Sequence, residues 1–230
     1  MSERIYPEDA WKLLSGRLTP RRSMKMQEVA RQRTKHLRLI IQDVHNPHNI
    51  SACIRSAEAF GIQNVHVVAL KNSFKTSTVA RGAGNWLSIH KHESIEDCAN
   101  TLHELGYSIA AGMPSQSSSA LHDMDLSNPV AVLFGNEHEG VSPEWKQQID
   151  LYFTIPMFGV VESLNISVSA AIAMQHLSHR ARAELPADRY LLNEGEQNRL
   201  LCNWVCDQIP SWETECKVYR DRLPTASDNG

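Results

Sequence analysis

Three short stretches put polar side chains at the points where an apolar, strand-like pattern stops. In "HNPHNISACIRS", Asn49 stands near the start of a helical pattern, and Arg55 follows six residues later on a different face but within reach of the next turns. In "LFGNEHEG", an apolar run ends in Gly135 and Glu137 before Gly140. In "IPMFGVVESLNISVSAA" (155–171), Glu162, Ser163 and Asn165 sit in a turn that is otherwise apolar and runs into a Ser/Ala-rich helix. A surface turn is normally polar throughout, because its backbone must meet water or find partners. A turn this apolar needs something else to satisfy those groups. Glycine directly after a strand lets a ligand approach the backbone closely, and serves ordinary tight turns equally well.

The chemistry these residues offer is binding and orientation, and several other classes drop out. "GNEHEG" does not meet the GxGxxG dinucleotide fingerprint, and no phosphate-binding P-loop is present. GxSxG does not occur, and no cysteine stands beside a histidine in a nucleophile's context. Cys53, Cys98, Cys202, Cys206 and Cys216 are odd in number, scattered and never spaced CxxC, which argues against disulfides and zinc. Cys202 and Cys206 lie one helical turn apart, and His176 and His179 are near neighbours, a spacing that helix packing explains. No metal is expected, and His45, His48, His90, His92 and His138 read as loop or core residues without a role.

The elements that must position these residues alternate. "HLRLIIQDV" (36–44), "NVHVVAL" (64–70), "YSIAAGM" (107–113), "VAVLFG" (130–135) and "LYFTIPM" (151–157) read as strands. Between them, 49–61 and 94–106 read as helices ending at Gly61 and Gly106, the second with Ser94 as N-cap and Asp97 at N3. A short helix over 142–149 and a long one over 167–184 complete the core, and "PSQSSSALHD" (114–123) is a polar loop after a strand end. The pattern predicts an α/β fold, a parallel sheet covered by helices on both faces. Ligands of such sheets bind beyond the carboxyl ends of the strands.

Helices around 8–15 and 21–35 precede this core, and helices over 194–209 and 212–223 follow it, after a break at Pro186. The expected organisation is a basic helical extension (1–36), a catalytic domain (37–184) and a second helical extension (185–230). The net charge of −3 is unevenly spread. From Arg17 to Arg38, eight cations face the single acid Glu28, so the remaining chain must carry −10. Clustered cations of one sign are rewarded by counterion release, which points to an arm that binds a nucleic acid. The 42% apolar and 21% charged residues read as soluble and globular, with no run of membrane-span length and no signal-peptide layout at the N-terminus. Cytoplasmic location is the expectation.

Taken jointly and in order, the three stretches resemble motifs one, two and three of the SpoU-type branch of the SPOUT methyltransferases, over residues 37 to 182. The resemblance implies S-adenosylmethionine-dependent methylation of an RNA ribose 2′-hydroxyl, and a C-terminal deep trefoil knot (the SPOUT fold), an exception to the rule against knotted chains. It implies cofactor contact at Gly112, Gly135, Ile155, Met157 and Leu164. It places Arg55, Asn49, Glu137, Ser163 and Asn165 around the reacting groups. Glu162 departs from the glutamine expected before "SLN".

The family assigns proton removal to the arginine matching Arg55, yet a guanidinium is ordinarily never a base. Clamping a phosphate and polarising the hydroxyl is the role expected here. The arm "LTPRRSMKMQEVARQR" and the C-terminal helices resemble the tRNA (guanosine-2′-O-)methyltransferases that act on the D-loop, at position 18. Arg21, Arg22, Arg31 and Arg33 would then contact tRNA phosphates. Family members pair through the knot, so a homodimer is implied. The alternatives are the same chemistry on ribosomal RNA and a non-catalytic RNA-binding protein of the same fold. A nicotinamide dehydrogenase is the more distant reading.

Overall fold

The computed structural model describes residues 6–69, 82–113, 118–136 and 139–221. These fall into two compact units, Arg33–Leu191 and a second built from the first 32 residues and those from Leu192 onward.

The larger unit is organised by a seven-stranded sheet in which every strand pair is parallel. Its strands are β1 (Thr34–Gln42), β2 (Ile62–Val68), β3 (Ser88–His92), β4 (Ser108–Gly112), β5 (Ser119–Ala120), β6 (Val130–Phe134) and β7 (Leu151–Thr154), in the order β3-β2-β1-β6-β4-β7-β5. β1 and β6 lie side by side near the centre and are buried on both faces, which is why "VAVLF" is a continuous apolar run and "LRLII" is apolar on both faces but for Arg38.

One face of the sheet packs Leu39, Ile41, Val132 and Phe134 against α3 (Pro47–Ala59) and α5 (Ile166–Glu184). The other packs Ile40, Ala131 and Leu133 against α4 (Ile95–Glu104) and the fully buried Trp145 of the 3-10 turn Pro143–Gln147. Local signals start these helices as expected. Ser94 Oγ accepts the Asp97 N–H at 3.0 Å, and Gly61 and Gly106 take the left-handed conformation just past α3 and α4.

The second unit packs α1 (Ala10–Leu14) and α2 (Pro20–Arg31) with α7 (Glu194–Gln208), and α1 with α8 (Trp212–Asp221). α7 starts at a capping box in which Asn193 and Glu196 bond each other's backbone at 2.9 and 2.7 Å. The short α6 (Ala187–Tyr190) belongs to the larger unit and follows the break at Pro186.

The structure corrects three sequence expectations. The second helix stops at Arg31, and Thr34 and Lys35 already belong to β1. "SIHKH" forms the edge strand β3, hidden in the sequence by His90 and His92, which stack on His66 of β2. Arg33, expected on the RNA-binding arm, is buried: its Nη2 donates to Glu58 Oε1 at 2.8 Å and its Nη1 to the Glu58 carbonyl at 2.9 Å. A guanidinium spent inside the fold has no face to offer a phosphate. Residues 114–117 of the polar loop lie outside the described residues, and the rest of it forms β5 and a short turn that buries Leu121.

Removing one partner of a buried ion pair strands the other charge, so Arg33→Ala is expected to cost on the order of 3 kcal/mol in denaturant unfolding. RNA affinity measured well below the unfolding transition should stay at the parent's level.

Candidate functional site

A parallel sheet aligns the carboxyl ends of its strands, and four of them lead into the polar stretches. β1 leads to α3, β6 to the loop after Gly135, β4 ends in Gly112, and β7 runs into residues 155–165. The register sets Ile41 beside Phe134, Ala111 beside Leu133 and Gly112 beside Phe153, so these ends share one edge.

α3 starts two residues before the sequence indicated. Asn46 Oδ1 accepts the His48 N–H at 2.9 Å and Pro47 fills the first helical position, a cap-and-proline start readable in "NPH". Asn49 thereby falls in the first turn and is 9% exposed, on the buried face with Cys53 and Ala57. Arg55 points the other way. It is exposed and has neither a hydrogen bond nor an ion pair among the described residues.

Across the interface, Asn165 caps α5. Its Oδ1 accepts from the Ser167 N–H at 2.8 Å and the Ser167 hydroxyl at 2.6 Å, and its Nδ2 donates to Asn49 Oδ1 at 3.3 Å. The first and third stretches are joined directly by that bond. α5 lies against α3 through Ala170, Ala173 and Met174, where small side chains permit close approach.

The segment from 155 to 165 has the character its sequence raised as a question. Ile155 and Leu164 are half-buried, while Met157 is 40%, Phe158 100%, Val160 101% and Val161 64% exposed. The backbone of 156–164 makes no hydrogen bond to another described residue. Ser163 and Glu162 are exposed, also without a partner among the described residues. An apolar wall carrying free backbone donors and acceptors suits a ligand with an apolar face and polar edges, as an adenine and a methionine side chain offer.

Gly112 is exposed beside it, where a Cβ would meet the Phe153 and Phe134 rings at 3.0 and 3.2 Å. Gly135 has a different reason: a Cβ would lie 1.9 Å from the Gly140 carbonyl oxygen, so the loop itself demands glycine. Glu137 lies outside the described residues. On α2, Arg21 and Arg31 are exposed with no ion pair among the described residues, and Arg22 donates to Gln208 within its own unit.

One group has the composition of a metal site. Ligand atoms of His66, His92 and Cys98 lie within 4.8 Å of one another. Hydrogen bonds already close it. Arg38 Nη1 donates to His66 Nε2 at 3.1 Å, which puts the His66 proton on Nδ1, facing His92 Nε2 at 2.9 Å. His92 Nδ1 in turn donates to Asp97 Oδ2 at 2.8 Å. An ion on His66 Nδ1 would turn an N–H against the Arg38 guanidinium. The group reads as a relay fastening β3 and α4 to the sheet.

Residues 36–175 match the SpoU rRNA Methylase family. The chain is 34% identical to the tRNA (guanosine(18)-2'-O)-methyltransferase of Borreliella burgdorferi, over 87% of this chain and 92% of that protein. Its fold superposes with a TM-score of 0.72 on the A. aeolicus TrmH/SpoU tRNA modifying enzyme, 27% identical, covering 82% of this chain and 97% of the other. A more distant likeness, to the SpoU methyltransferase AviRb from Streptomyces viridochromogenes in complex with AdoMet, has a TM-score of 0.57 at 22% identity, covering 66% and 62% of the two chains.

Burial, with the charges of His90, Arg38 and His92, holds the His66 imidazole down at about 2 in the native state. An unfolded histidine titrates near ~6.5. Between these values the unfolded chain takes up a proton that the native chain refuses, so this residue removes stability as pH falls below ~6.5 and is neutral above it. The expected slope is about 1.4 kcal/mol per pH unit. His66→Asn should flatten the difference in urea-unfolding free energy between pH 7.5 and 5.5 relative to the parent.

Proposed function

The chain belongs to the SpoU rRNA Methylase family, and on that premise we propose that it methylates the ribose 2′-hydroxyl of a D-loop guanosine in tRNA with S-adenosylmethionine as donor. The observation that carries this reading is the meeting of the three motif stretches at one sheet edge, with Asn165 bonded to Asn49 and Arg55 exposed, without a partner among the described residues. The relative's name, tRNA (guanosine(18)-2'-O)-methyltransferase, supports position 18 as the target.

Gly112, Gly135, Ile155, Met157 and Leu164 would hold the donor, whose sulfonium supplies the methyl group when bound. The remaining work falls to side chains of this chain. Arg55 grips the phosphate next to the target ribose with its planar fork and polarises the hydroxyl, since a guanidinium keeps its protons and cannot serve as an ordinary base. Asn49, Ser163 and Glu137 orient the hydroxyl for an in-line attack, with Asn165 acting through Asn49, and the hydroxyl proton passes to water as the new oxygen–carbon bond forms and the carbon–sulfur bond breaks. Arg21, Arg22 and Arg31 supply cations for tRNA phosphates, fixing position and not reading sequence.

Two further features complete the reading. The chain from β7 into α5 is threaded as a deep trefoil knot. Its support is the strand order, which inserts β6 between β1 and β4 and returns α5 onto α3. The protein works as a homodimer through this region: Phe158, Val160, Val161, Val168 and Ile172 form an exposed apolar surface of the kind a second copy covers. The acidic body and the expected cytoplasmic setting suit a tRNA-modifying enzyme, and no helix among the described residues is long and apolar enough to cross a membrane.

Labelled methyl transfer from S-adenosylmethionine to an unmodified tRNA transcript tests the reading. Label should enter that transcript and not one carrying 2′-deoxyguanosine at position 18; incorporation into the deoxy transcript would reject the site, and ribosomal RNA labelled in its place would reject the substrate. Arg55→Lys keeps a charge without the fork and should lower kcat/KM about tenfold or more. Sedimentation should find the parent dimeric and Phe158→Asp monomeric, and a monomeric, active parent would overturn the paired assembly.

A further inference from the structure

We propose that Gln42 is a positioning residue of the methyl-donor site, holding the loop of the second motif in place through its side-chain amide. The ligand in this inference rests on the proposed function, whereas the clamp rests on geometry alone. Gln42 closes β1 and is 2% exposed. A primary amide so deeply placed is costly unless bonded, and an aliphatic side chain of that size would pack there without the cost. Its Oε1 accepts the N–H of Ser142 at 3.1 Å.

Ser142 precedes the turn Pro143–Gln147, and its N–H, held by Gln42, ties the entry of that turn to the end of β1. Upstream, the loop is closed on itself. Asn136 and Gly140 exchange backbone bonds at 3.0 and 3.1 Å, and Asn136 Oδ1 takes the Glu139 N–H at 2.6 Å. Gly135 lies too near the Gly140 carbonyl to accept a Cβ. These bonds tie Asn136, Glu139 and Gly140 to one another between two points of attachment. β6 holds one end and Gln42 holds the other.

Directly after Gln42 the chain turns sharply at Asp43, whose φ of 45° is left-handed, and proceeds through the Asn46 cap into α3. The Gln42 bond therefore ties the loop carrying Gly135 and Glu137 to the element carrying Asn49 and Arg55. Leucine at this position would keep the shape and lose the acceptor. Glutamate would keep an acceptor in its neutral form, the form that burial favours, so that variant is compared at a pH where it is protonated.

The test compares the parent with Gln42→Leu and Gln42→Glu by hydrogen exchange, S-adenosylmethionine calorimetry and tRNA binding, all well below the unfolding transition. Gln42→Leu should speed exchange in residues 135–142 and weaken the cofactor about tenfold, with tRNA affinity unchanged and Gln42→Glu close to the parent. Parent-like exchange and affinity in Gln42→Leu would overturn the proposal, as would exchange raised evenly across the chain, which marks a general loss of stability. Should the parent take up no cofactor while the local exchange contrast persists, the clamp stands and the proposed function falls.

Discussion

Parallel pairing is the constraint from which the rest of the larger unit follows. Because β1, β6, β4 and β7 run the same way, whatever each strand delivers at its carboxyl end is delivered to one edge of the sheet. The register then does the fine placement, setting Ile41 beside Phe134 and Gly112 beside Phe153. The cost is that β1 and β6 must be buried on both faces, and their largely apolar runs meet it, with Arg38 of β1 bonded to His66. Residues more than a hundred positions apart, such as Asn49 and Asn165, come within hydrogen-bond reach for this reason.

Chain ends delivered to one edge still need to be held there. Side-chain amides do much of that work: Asn46 starts α3, Asn165 starts α5 and reaches Asn49, Asn136 closes its loop, and Gln42 secures the far side of that loop. Amides suit the task because each offers both a donor and an acceptor without a charge to desolvate. The arginines divide differently. Arg33 is consumed by Glu58 and Arg38 by His66, while Arg55, Arg21 and Arg31 remain exposed. Burial separates the cations that build the fold from those available to a polyanion.

Between residues 156 and 164, Met157, Phe158, Val160 and Val161 are exposed while the backbone makes no hydrogen bond to another described residue. Such a surface is unfavourable in water unless something covers it. A small ligand on one side and a second copy on the other would satisfy both deficits, and this pairing of needs ties the proposed chemistry to the proposed assembly.

Alone, the sequence determined the elements and the order of the motifs, because burial on two faces writes continuous apolar runs and helix ends are written by local signals such as Ser94 and Gly106. It misjudged Arg33, since a cation near an arm looks the same whether it meets solvent or Glu58. It also missed β3, whose histidines stack on His66 at 4.6 and 5.1 Å in place of aliphatic packing. What only the tertiary structure decided was partnership: which asparagine holds which, that Gly135 serves its own loop, and that Arg55 is exposed. Those outcomes depend on distances between segments far apart in the chain, and a sequence pattern encodes the faces of an element but not what another element brings against them.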